Sequence, residues 1–163
     1  MRFASPGYDT MTQVEAEVQD LGMALIHSYA EPEDGGFVVM LAEAVSGPRA
    51  SAEELATEMN DILRDIKAVA SPTIISAEPK LYMFTWRSVI AFMVMDELRR
   101  HFPRGVSTGR WFRRFSSSPL LDYARTNIFL YDDVTPLHHT RVGAIDRHVD
   151  VLSDVELTIE RIR

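Results

Sequence analysis

Met11, Val14, Val18 and Leu21 recur three to four residues apart, behind Asp9 and Thr10 and ahead of Gly22. Capping residues, a helical period and a glycine stop together predict a first amphipathic helix. Period two then takes over. GMALIHSYA and FVVMLAEA read as strands joined by the turn-forming EPEDGG, a hairpin with a loop longer than two residues. From Ser51 the helical period returns: Ser51 stands three residues before Glu54 as a capping box, Leu55, Met59, Ile62 and Ile66 line one face, and Pro72 closes the element.

Beyond a short apolar TIISA, KLYMFTW alternates like a strand up to about Trp86. SVIAFMVMDELRRHF has the length of a helix, with Arg99 and Arg100 where a helix C-terminus favours positive charge. Such a helix is apolar around most of its circumference from Val89 to Met95, so it must be covered on more than one side, by its own sheet or by a second subunit. RWFRRF then reads as a strand, SSSPLLDYA as a turn or short helix, and RTNIFLYDD as a strand. Val149, Val151, Val155, Leu157 and Ile159 return to period two, for one or two closing strands. Without a regular strand–helix–strand alternation the expected class is α+β, a mainly antiparallel sheet with about three helices packed on one face. At 163 residues the expectation is one domain over 1–163.

Composition narrows the chemistry. Hydrophobic residues make up 46% and charged residues 25%, which excludes a disordered or fibrous chain. With no cysteine there is no disulfide framework, thiolate metal site or cysteine nucleophile. The N-terminus lacks the apolar run of a signal peptide, so a cytoplasmic protein is expected. The most hydrophobic stretch, Leu81 to Met95, contains Arg87 and runs into Asp96 and Glu97, so it reads as core and no membrane association is expected.

The net charge of -7 is unevenly distributed: residues 1–65 carry 13 acids and 3 bases, whereas residues 66–125 carry 4 acids and 10 bases. Within that basic third, RRHFPRGVSTGRWFRRF holds six arginines and four aromatics. Arginines with interleaved rings suit an acidic group better than a long polyanion here, because the rest of the chain would repel nucleic acid. Arg110, Trp111, Arg113 and Arg114 are therefore the candidate contact surface, for an acidic protein partner or for the chain's own subunits in a homo-oligomer. Pairing with the acidic first third is the competing structural role.

The candidates for catalysis lie between His138 and Asp150. On a strand, Asp146, His148 and Asp150 share a face, and a loop bearing His138 and His139 would complete a nitrogen and oxygen set for a metal. The same alternation suits the solvent face of an edge strand, with Arg147, Val149 and Val151 turned inward, and no fixed ligand spacing is present. The single H-x-T tripeptide at 138–140 lacks the second copy that two-histidine phosphoesterases need. Phosphate loops, GxSxG and HExxH are absent. The sequence thus points to a non-enzymatic protein-binding or assembly protein, such as a regulator, an immunity or inhibitor protein or a subunit of a larger particle, with no cofactor and no metal. The alternative is a small metal-dependent hydrolase or nuclease built on His139, Asp146, His148 and Asp150.

Overall fold

The computed structural model describes residues 11–33, 35–96, 105–127 and 136–163. Its first helix, α1 (Gln13–Gln19), is capped by Thr12, whose hydroxyl accepts from the Glu15 amide while the Glu15 carboxylate accepts from the Thr12 amide. The expected caps, Asp9 and Thr10, lie outside the described residues. The predicted hairpin follows as β1 (Met23–Ala30) and β2 (Phe37–Ser46).

The element expected from Ser51 divides in two, α2 (Ala52–Thr57) and α3 (Asp61–Val69). Ser51 and Glu54 form the predicted capping box, and Asn60 restarts the helix by accepting from the Ile62 and Leu63 amides. Strands β3 (Thr73–Ile75) and β4 (Leu81–Trp86) then lie end to end along one edge of β2, and β10 (Thr158–Arg161) pairs with β4. These five strands make the first antiparallel sheet.

The second sheet runs β5-β9-β8-β7-β6, from β5 (Ala91–Asp96), β6 (Val106–Thr108), β7 (Phe112–Ser117), β8 (His138–Gly143) and β9 (Arg147–Ser153). Two expectations are corrected here. Residues 91–96 form a strand paired along its length with β9, not a helix. A short continuous apolar run does not by itself separate a strand from a helix segment, and here it forms an edge strand that leaves Phe92 and Met93 partly in solvent. Phe92 stacks on Phe37 at 4.3 Å on one side of β5, and Ala91 packs toward Leu152 on the other. His138 and His139 begin a strand, not a loop. Of the strand expected at RTNIFLYDD, residues 125–127 end a helix and 128–133 lie outside the described residues.

The class is α+β and mainly antiparallel, as expected. The inner faces share one core, with Val39, Leu41, Tyr82, Phe84 and Trp86 from the first sheet against Phe112, Val142, Val149 and Val151 from the second. Trp86 also spans it, its indole donating to Thr140 Oγ1 at 3.0 Å. The helix α1 closes the end between β10 and β7, burying Val18. The helix α4 (Pro119–Asn127) lies over the outer face of the second sheet, with Leu121 and Ala124 packed against Phe115 and Leu152. By contrast α2 and α3 bury no residue. No helix among the described residues is long and apolar enough to cross a membrane.

Candidate functional site

The four residues of the expected contact surface take different roles. Trp111 is buried, and its indole donates to Leu21 O at 2.7 Å. Arg110 lies over the Trp111 ring at 4.5 Å and donates to Gly22 O at 3.1 Å. Arg114 pairs with the buried Glu15 carboxylate of α1 and covers the Phe112 ring. Arg113 is its neighbour on a strand, so the two side chains leave opposite faces of the sheet. Arg114 thus makes the pairing with the acidic first third that was its competing role, and the four do not converge on one surface.

The backbone around them is clamped by one side chain. Gln19 donates Nε2–H to Phe112 O at 2.6 Å, and its Oε1 accepts from the Arg110 and Trp111 amides at 2.5 and 3.1 Å. Gly109, at φ +102, makes the turn beneath it, where a Cβ would lie 1.9 Å from Phe112 O. Beside the clamp is a cavity of about 340 Å³, lined by Thr12, Glu15, Gln19, Arg114, His138 and Glu156 among others. Two of its charged lining residues, Glu15 and Arg114, pair with each other.

The histidine and aspartate cluster is partly assembled. His139 on β8 lies diagonally across from Asp150 on β9, whose register partner is Arg141, with His139 Nε2 3.0 Å from Asp150 Oδ1. Arg141 grips the same carboxylate with two bonds, Nε to Oδ1 at 2.7 Å and a terminal nitrogen to Oδ2 at 2.6 Å. His148 Nε2 stands 3.8 Å from Oδ2. Asp146 is held elsewhere, accepting from the Ile26 amide and pairing with Arg147. The expected solvent face is therefore corrected. β9 is a central strand between β5 and β8, and Asp150 on it is 1% exposed.

Burial pushes the Asp150 carboxyl up, but the hydrogen bonds from His139 and Arg141 and the Arg141 charge outweigh it and hold the group below its ordinary value of 3.8. The carboxylate is thus committed to three donors. No group of three or more histidine, aspartate or glutamate side chains is placed to hold a metal among the described residues.

Sequence reasoning missed Ser118, whose serine-proline step at the head of α4 is a helix-start signal. Its hydroxyl accepts from the Leu121 amide at 3.1 Å and lies 2.8 Å from His139 Nδ1. The ring thus bridges the Ser118 hydroxyl through Nδ1 and the Asp150 carboxylate through Nε2. Serine, histidine and aspartate are connected as in an acyl-transfer triad. Ser118 is only 3% exposed and its oxygen caps a helix, so the hydroxyl ties α4 to the sheet.

The second missed feature is the outward face of the α2–α3 arm. Of Leu55, Met59, Ile62 and Ile66, expected to line one face of one helix, only Ile62 and Ile66 share a helix, α3; Leu55 is on α2, Met59 lies in the break between them, and α3 buries none of its residues. Met59 is 97%, Ile62 71% and Val69 73% exposed. Helical spacing fixes which residues share a face, and only the third dimension fixes whether anything covers it. The chain matches no family model, no curated protein and no solved structure.

Proposed function

We propose that this is a non-enzymatic docking protein that holds a protein partner on the apolar face of the α2–α3 arm. The observation that carries this reading is α3 itself: an amphipathic helix with no buried residue, whose Ile62, Leu63, Ile66 and Val69 all stand in solvent. Met59, in the break just before α3, is exposed as well. Contiguous exposed apolar surface of this kind, rimmed by charge, marks interaction sites in well-packed proteins. Among the described residues, the connected set of Ser118, His139, Asp150 and Arg141 is buried and bonded within the fold.

The test is a paired substitution, Ile62→Asp with Ile66→Asp, in the full-length chain expressed in its native cell. A photo-crosslinking residue at position 59 should give a discrete protein adduct that the paired variant loses, while the melting temperature stays unchanged. An adduct retained in full by the variant would remove the arm from the interface. A large loss of thermal stability would show that the apolar face packs within the fold.

A further inference from the structure

Leu55, Met59, Ile62, Ile66 and Val69 follow one another at intervals of four, three, four and three residues. Such a repeat keeps apolar side chains on a single seam when the backbone is one continuous helix. The arm instead breaks at Glu58–Asn60, where Glu58 and Asn60 are extended at ψ 113 and 112. No proline or glycine lies between Ser51 and Val69, so nothing covalent forbids a helix through the break. The contacts that hold the bent form are local: the Asn60 cap, the Asn60 amide donating to Glu58 Oε1 at 3.2 Å, and a Lys67–Glu58 pair at 2.6 Å in which the carboxylate is half-buried.

We infer that residues 52–69 join into one helix, about 27 Å long at 1.5 Å per residue, when the arm seats an amphipathic helix whose apolar stripe is flanked by lysine or arginine. This rests on the reading of the arm as the docking surface and names what it docks. Residues 51–69 carry five acids and two bases, with Glu58 and Asp65 bordering one side of the seam and Ala56, Leu63 and Ala70 the other. A second copy of the chain does not complement that border. Packed antiparallel, it sets Glu58 against the other copy's Asp65, and packed parallel, it sets the acids against Leu63 and Ala70. A basic partner helix supplies the missing charge, and the seam buries its apolar stripe.

The full-length protein is titrated with two labelled synthetic peptides that share one leucine and isoleucine stripe, one flanked by lysines and the other by glutamates. Fluorescence anisotropy should show the lysine peptide binding at least tenfold more tightly, with the advantage shrinking as salt rises and lost in the Ile62→Asp, Ile66→Asp variant. Backbone chemical shifts of Met59 and Asn60 should become helical on binding. Equal affinity for both peptides would overturn the charge requirement while leaving the docking surface standing, and binding without helical shifts at 59–60 would overturn the joining of the two helices. Sedimentation of the protein alone as a dimer, broken by the paired variant, would assign the seam to a second copy. Binding to phosphatidylcholine vesicles in place of either peptide would assign it to lipid. Failure of both peptides overturns the inference. The docking reading falls with it only if the cellular adduct at position 59 also persists in the paired variant.

Discussion

Between β8 and β9 the protein encloses a carboxylate, a guanidinium and two imidazoles, while on α3 it leaves four aliphatic side chains in solvent. The two regions reverse the usual placement of charge and hydrocarbon for different physical reasons. Asp150 tolerates burial because three donors satisfy it and α4 seals the face above. The α3 stripe tolerates exposure because the helix holds itself together locally, through its Asn60 cap and the Arg64–Asp61 pair, without support from the sheet. Charge inside the sheet thus belongs to the fold, and hydrocarbon outside it is free to serve something else.

That contrast breaks most visibly at Asp150. Replacing it with alanine leaves His139 and Arg141 without their acceptor in a buried layer, a change that costs about 3–5 kcal/mol. At this chain length the melting temperature should fall by roughly 10 °C, read by calorimetry. A variant as stable as the parent would show that the network contributes nothing.

Acid titration sharpens the same point. Because the folded Asp150 carboxyl ionises below its ordinary 3.8, its contribution to stability is complete above that value and is lost as pH falls through the lowered folded one. Urea midpoints measured downward from pH 5 should therefore fall more steeply for the parent than for Asp150→Asn, which has no proton to take up there. Parallel curves would exclude Asp150 as a source of the acid limb.

Ser118→Ala removes both the cap of α4 and its tie to His139, for an expected loss of about 1–2 kcal/mol in chemical denaturation. Thr in that place should restore most of it. The arm should respond least: Ile62→Asp with Ile66→Asp is expected to change stability by no more than about 0.5 kcal/mol, despite placing two charges on an apolar stripe. A larger loss would mean that the arm behaves like the sheet, and the contrast would fail.

Much of this organisation is legible in residue order. The β1–β2 hairpin, the Ser51 capping box, β4 and the α+β class all follow from local chemistry and period. Covering layers do not. Asp146, His148 and Asp150 alternate like a solvent face, but Asp150 is buried because β9 is central and α4 lies over that sheet face, a relation no spacing encodes. The apolar run at 89–95 fits a helix or a strand equally, and pairing with β9 at the sheet edge selects the strand. Trp111 looks like an interface anchor by type and turns inward because Leu21, 90 residues earlier, offers its carbonyl.

Gln19 joins three peptide groups of residues 110–112 to a helix near the start of the described chain. The Arg110 and Trp111 amides have a glutamine oxygen as their acceptor, so they can trade hydrogen for deuterium only when α1 lifts away. Their exchange rates therefore clock the opening of one end of the sandwich, separately from global unfolding. In Gln19→Ala those two clocks should run free, while amides in the centre of β9 keep time with the whole molecule.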